Sequence, residues 1–269
     1  MIYDCFSYWD EDLLLDLRLN ILDKIVDRFV IVEGDKTWQN NPKKLKFDVK
    51  KFQKFKDKII YIPVTDLPDG EDPYLRENHQ RNSISRGIKD ANENDIILIS
   101  DLDEIPCPKA IKNFDHKMRY ATFKQKHFYY KFNLQSKNYP YWNGTRVCIK
   151  KYLKSPQWLR DLKFKKRPFW RLDKLKLNNI ISDGGWHFCN LKTPEDLLYK
   201  YQNLCETNDP IHFKERIDSK YLQIDEIKKK IISGADIIGR KDKFEKFKLD
   251  NSFPEYLITN KDNYKDWII

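Results

Sequence analysis

The sequence predicts an α/β fold whose central sheet is mostly parallel and flanked by helices, and three observations carry that expectation. Short β-branched apolar runs at residues 2–6, 28–33, 58–63 and 96–99 read as strands buried on both faces. Segments with helical spacing alternate with them, and βαβα order implies parallel strands, right-handed crossovers and ligand loops gathered along one edge. The run of Ile96, Ile97, Leu98 and Ile99 then stops at acid, with Asp101, Asp103 and Glu104 in four residues and Pro106 barring continuation.

Each element follows from local pattern. Residues 2–6 form a first strand, and residues 11–22 place Leu13, Leu14, Leu17, Ile21 and Leu22 on one helical face with acids in the first turn. The second strand ends at Glu33, where Gly34 permits a turn. Residues 48–55 read as a short amphipathic helix before the third strand. Residues 66–73 are a loop, and residues 73–89 a helix carrying Arg76 and Arg81 into the acidic strand. Residues 121–134 are aromatic and β-prone, and Tyr139, Tyr141 and Trp142 add three rings of the kind on which sugars and bases stack. Helical signals return over 194–205 and 218–239. Residues 1–240 are expected to form the main domain, with 241–269 a C-terminal helical extension packed on it.

Composition narrows the function classes. At 40% hydrophobic and 14% aromatic residues the chain has a core to bury, which excludes a disordered polymer. No apolar run approaches the roughly 20 residues of a membrane span, and no signal-peptide pattern opens the sequence, so a cytoplasmic setting is expected. The five cysteines are odd in number and lack a C-x-x-C pair, suggesting reduced thiols rather than disulfides or zinc. A net charge of +10 favours acidic partners, but the lysines are interleaved with 41 acids instead of forming a basic arm, so nucleic acid is not the expected partner.

The acidic strand end carries the chemistry. Three neighbouring carboxylates repel one another unless a cation faces them, and ligands of open α/β sheets bind at this end of the strands. Asp101 and Asp103 therefore suggest a Mg or Mn site completed by substrate phosphates and water. Asp-x-Asp recurs by chance, so the weight rests on the buried strand before it and the proline after it. A second stretch, Asp183, Gly184, Gly185, Trp186 and His187, places two glycines between an acid and an imidazole. They point to a tight turn or a close backbone approach to a ligand, with His187 a candidate metal ligand.

Seven stretches in order, residues 3–6, 18–20, 26–33, 76–82, 100–106, 141–145 and 183–188, resemble glycosyltransferase family 17. The resemblance implies a GT-A-type nucleotide-sugar-binding fold, a UDP-sugar donor (UDP-GlcNAc), Mn or Mg at Asp101 and Asp103, a glycan acceptor and inversion at the anomeric carbon. Within that chemistry Asp103 is the first candidate for direct metal coordination, His187 a candidate third ligand, and Asp101 a candidate contact to the ribose or metal-bound water. Glu33 is a candidate nucleotide contact, and Arg76 and Arg81 are candidate diphosphate contacts. Asp183 and Glu206 are the candidate bases for the acceptor hydroxyl, Asp183 leading because glycines beside it leave room. Two other classes remain open: a sugar-phosphate nucleotidyltransferase, although no glycine-rich loop follows the first strand, and a non-catalytic glycan- or nucleic-acid-binding protein.

Overall fold

The computed structural model describes residues 1–164, 179–205 and 222–269. In chain order the first half contains β1 (Ile2–Ser7), α1 (Asp12–Leu22), β2 (Arg28–Gly34), a 3-10 helix (Val49–Lys58), β3 (Ile59–Val64), α2 (Pro73–Asn82), α3 (Ile84–Gly87), β4 (Ile96–Asp101), β5 (Glu104–Pro106) and α4 (Pro108–Lys112). The second half contains β6 (Tyr120–Tyr129), β7 (Leu134–Ser136), β8 (Tyr141–Ile149), α5 (Pro156–Asp161), β9 (Ile180–Ile181), β10 (Gly185–Cys189), α6 (Pro194–Asn203), α7 (Ile224–Ser233), β11 (Phe244–Lys246) and α8 (Glu255–Thr259).

The strands form one curled sheet in the order β11-β7-β6-β8-β4-β1-β2-β3, with β10 bridging β5 and β6 and β9 added to β6. The first half matches the expectation of parallel pairing, and in the second half β9 and β10 also run parallel to β6. In the first half β4, β1, β2 and β3 run parallel, so the ends of all four strands open on one edge. Beyond β4 the sheet is mixed: β8 is antiparallel to β4, β6 to β8, β7 to β6 and β11 to β7. For β6 and β7 the reason is connection length: four residues separate them, far short of the dozen or so that a parallel crossover needs.

The alternation of β4 explains the unbroken apolar run of residues 96–99. Ile96 and Leu98 face a core built with Leu14, Leu15, Phe29, Phe123 and Phe188, while Ile97 and Ile99 face a second core with Tyr3, Val30, Val32 and Leu159. Helix α1 covers the first face, and α2, α3 and α5 lie on the second. Asp72 caps α2 by accepting from the Tyr74 amide at 2.9 Å, with Pro73 at the first helical position.

Three helices differ from the sequence expectation. Residues 48–55 belong to a 3-10 helix kinked at Phe52 (φ −124°, ψ 36°) rather than to an α-helix. The helix expected over 73–89 breaks at Ser83, whose hydroxyl donates to the His79 carbonyl at 3.0 Å. Of the helix expected over 218–239, the described part is helical over Ile224–Ser233. The C-terminal residues join the same body: β11 extends the sheet, Phe253, Leu257 and Tyr264 enter the first core, and the Ile269 amide donates to Asn133 Oδ1 at 2.9 Å. Among the described residues no helix is long and apolar enough to cross a membrane.

Candidate active site

The acidic loop between β4 and β5 is held from beneath by Arg18 of α1. Its guanidinium is fully buried and forks onto Asp4, with Nε to Oδ2 at 2.8 Å and Nη2 to Oδ1 at 2.7 Å. Nη2 also donates to Ser100 Oγ at 2.6 Å. Nη1 donates to three main-chain oxygens, those of Asp101 (3.1 Å), Leu102 (2.9 Å) and Glu104 (3.0 Å). Five donors in a rigid planar fork suit this task, which a lysine could not perform.

Asp101 and Glu104 are tied together by a second arginine. Arg160 of α5 donates to Asp101 Oδ2 at 2.8 Å and to both oxygens of Glu104, at 2.7 and 3.1 Å. Arg81 of α2 reaches Asp101 Oδ1 at 3.2 Å while also pairing with Glu77 at 2.7 Å. Burial alone would raise the Asp101 pKa, but Arg160 and Arg81 hold it well below the usual carboxylate range. Glu104 is sealed in, accepting also from Trp142 Nε1 at 2.8 Å and from the Asp101 amide at 3.2 Å. Glu104 thus buttresses the loop, while Asp101 keeps a side chain 43% exposed.

Asp103 faces His187 of β10, Oδ1 to Nε2 at 3.4 Å. The Phe188 amide donates to the Asp103 carbonyl at 2.9 Å, which fixes the strand beside the loop. Burial disfavours charge on both groups, yet their mutual attraction wins: the His187 pKa is raised well above, and the Asp103 pKa lowered below, its ordinary value. The ammonium of Lys200 on α6 adds to the lowering of Asp103 and is itself hydrogen-bonded to Asn190 Oδ1 at 3.0 Å. His187 Nδ1 is buried with no hydrogen-bond partner. Two ligands of one ion with bonds of about 2.1 Å stand roughly 3 Å apart, so Asp103 and His187 fit a shared divalent ion, and their oxygen–nitrogen pairing suits Mn better than Mg. Asp101 fits it less directly, because both of its oxygens already accept from arginine.

His127 of β6 lies beside His187 in register, their rings stacked at 4.8 Å with planes 4° apart. Burial, then the charge of His187, pushes the His127 pKa down to about 3, and its Nδ1 lies 3.1 Å from the Tyr139 carbonyl. His127, His187 and Cys189 bring possible ligand atoms within 4.8 Å of one another. Imidazole lone pairs lie in the ring plane, and two parallel planes share no point, so the stacked pair does not chelate one ion in this arrangement.

Three sequence candidates stand apart from this centre. Glu33 is fully buried and accepts from the Lys43 ammonium, the Lys46 and Phe47 amides (2.7 and 3.0 Å) and the Tyr61 hydroxyl (3.0 Å), which employs both of its oxygens in holding the loop after β2. Arg76 is also buried, donating to the carbonyls of Trp38 (2.6 Å), Pro68 (3.3 Å) and Gly70 (2.7 Å), so it clamps two loops at the same edge. Asp183 is exposed on a turn at φ 50°, four residues before His187, or roughly 13 Å along an extended strand. The neighbouring glycines answer to the sheet: a Cβ on Gly184 would meet Phe123 Cβ at 2.6 Å, and Gly185 sits at φ 127° against the backbone of Ile105 and Pro106. Glu206 lies outside the described residues.

Sequence reading missed Arg160, Trp142 and Lys200. Arg160 and Lys200 sit on ordinary amphipathic helices, and nothing in their spacing marks them. Trp142 was noticed only as one ring of a cluster; its indole N–H on Glu104 follows from the antiparallel pairing of β8 with β4, which carries the start of β8 past the acidic loop.

Residues 1–266 match the family described as Glycosyltransferase family 17. The chain belongs to glycosyltransferase family 17. The human β-1,4-mannosyl-glycoprotein 4-β-N-acetylglucosaminyltransferase is 24% identical over 221 residues, which cover 70% of this family 17 chain and 40% of the human protein. Its rat counterpart of the same name is 24% identical over 221 residues, covering 39% of the rat protein. The match therefore spans about two fifths of the length of these curated relatives. Among solved structures, the inositol-1-phosphate CTP transferase from T. maritima aligns with a TM-score of 0.36 and 13% identity, covering 78% of this chain and 96% of that one.

Proposed function

We propose that this family 17 chain is an inverting glycosyltransferase that moves a sugar, GlcNAc from UDP-GlcNAc, onto a glycan hydroxyl within a GT-A-type arrangement. The observation that carries this reading is the pairing of Asp103 with His187 on an acid loop locked at the open edge of four parallel strands. The names of the relatives favour GlcNAc as the transferred group.

A bound Mn, held by Asp103 and His187, would supply Lewis-acid neutralisation of the leaving diphosphate. The protein's own residues do the remaining work. Arg18 fixes the carbonyls of the acid loop, so the carboxylates are preorganised rather than recruited. Lys200 sets a positive charge beside Asp103, where it can face diphosphate oxygens. Arg81 and Arg160 keep Asp101 ionised. Tyr139, Tyr141 and Trp142 remain 62%, 50% and 44% exposed at the rim, and Trp142 packs against His187 at 5.4 Å, which gives a glycan acceptor aromatic faces next to the reacting centre.

The test is ligand-linked stability. UDP with Mn should raise the Tm, UDP with a chelator should raise it much less, and Asp103→Asn should remove the difference while leaving the protein folded. Equal stabilisation by UDP with and without metal overturns the reading.

A further inference from the structure

The face between the start of β8 and the end of α5 holds a cavity of about 570 Å³ lined by three cations, not all of which are ion-paired. Arg146, Arg160 and Lys163 line it, with Asn143, Asp161 and Phe164. Arg160 is matched, since Asp101 and Glu104 both pair with it. Arg146 is not. Its Nη1 donates to Thr122 Oγ1 and to the carbonyls of Asn143 and Gly144, all neutral acceptors, and its guanidinium lies 5.2 Å from the Phe164 ring centroid. Its Nε is buried with no partner, and among the described residues no carboxylate forms an ion pair with it. Asp161 does not supply one, because its Oδ1 accepts from Gln157 at 2.9 Å and it is exposed.

Burying a cation and then leaving one of its donors unused is destabilising, and a second cation on the same wall adds repulsion. Burial, and after it the charge of Arg160, pushes the Arg146 pKa down to about 10 against the weaker opposing pull of Glu104 and Asp101. A fold retains such an arrangement when a ligand supplies the missing negative charge, and a planar guanidinium recognises phosphate, sulfate and carboxylate oxygens.

The geometry points to an oxyanion subsite in this cavity, in which the Arg146 guanidinium and the Lys163 ammonium receive a phosphate, sulfate or carboxylate group carried by a substrate. The subsite stands on Arg146 and not on the metal reading of Asp103. Two sources share the chemistry: the diphosphate of a nucleotide-sugar donor, one arginine away at Asp101, and an acidic substituent on the acceptor glycan.

Calorimetric titration of the whole protein with inorganic pyrophosphate, in chelator, tests this. The parent should bind; Arg146→Gln should bind about 10-fold or more weakly, the scale of a lost charge-assisted hydrogen bond. Should Arg146→Gln fail to fold, Lys163→Gln on the exposed rim takes its place, with a loss of a few-fold. No binding by the parent, or equal binding by the parent and by each folded variant of Arg146 and Lys163, overturns the proposal. UDP with Mn then names the source. Weaker UDP binding in Arg146→Gln assigns the oxyanion to the donor, and unchanged UDP binding assigns it to the acceptor.

Discussion

Arg18 Nη1 donates to the carbonyl of Leu102 at 2.9 Å from a position with no solvent exposure, and the same guanidinium closes a two-bonded fork on buried Asp4. The acid loop thereby hangs on α1 through its main chain, leaving the side chains of Asp101 and Asp103 to pair with Arg81, Arg160 and His187. Positioning and stability can be separated here. Arg18→Met leaves Asp4 buried and unpaired and should cost about 3–5 kcal/mol. Adding Asp4→Leu removes that stranded charge and should recover much of the stability. UDP–Mn affinity should stay low in the double variant, because three carbonyls still lack their anchor. Recovery of both together would show that Arg18 serves stability alone.

His187 is expected to act on metal affinity more than on folding. Replacing it with Gln keeps a polar side chain in the sheet but removes the imidazole nitrogen facing Asp103, and should weaken Mn binding by about 10-fold or more. Titration of UDP binding against Mn measures this directly. A variant with the parent's Mn dependence and a lowered Tm would make His187 a core residue.

Much of this was legible in the sequence, for reasons that differ by element. The β4 strand and its acid terminus could be read because a run buried on both faces needs no partner to be recognised, and Asp103 and His187 were named from their residue types. The antiparallel half was not legible. Its strands follow one another through four-residue links, and the aromatic content of residues 121–142 says that they are buried without saying what they pair with. Glu33 shows the converse: a strand-end carboxylate reads as a ligand contact until Lys43, Lys46, Phe47 and Tyr61 are seen to converge on it. Pairing across the fold is what local pattern does not carry.

The stacked histidines predict a pH signature. His127 is held near pKa 3, against about 6.5 in an unfolded chain. The unfolded state therefore binds more protons between these values, and stability should fall as pH drops from about 6.5 towards 3, by at most about 1.4 kcal/mol per pH unit. His187 acts in the opposite sense: its raised pKa contributes stability that is complete below about 6.5 and is lost as pH rises through the folded value. Urea unfolding in chelator between pH 4.5 and 6.5 (values set by roughly the window above) isolates the first effect. His127→Gln should flatten that limb. An unchanged slope in the variant would mean that His127 is not buried neutral.

The last expectation concerns the proton acceptor. An inverting transfer needs a carboxylate within reach of the acceptor hydroxyl, opposite the leaving group. The sequence nominates Asp183 and Glu206 as carboxylates, with Asp183 leading for the room its neighbouring glycines leave. The position of Asp183 argues against it: Gly185 pairs with Pro106 while His187 pairs with Glu104, so the strand carries Asp183 away from Asp103, onto an exposed turn held by the Gly184 amide on the Lys124 carbonyl at 2.9 Å. On that geometry Asp183→Asn should keep turnover within a few-fold of the parent, because asparagine also tolerates the positive φ of the turn. Loss of the true base would instead cost about 10²- to 10⁴-fold with UDP–Mn binding intact. Measuring Asp183→Asn beside Glu206→Gln decides it. A collapse of turnover in Asp183→Asn, with donor binding preserved, would require the acceptor to reach from His187 back past the start of β10 and would return Asp183 to the chemistry.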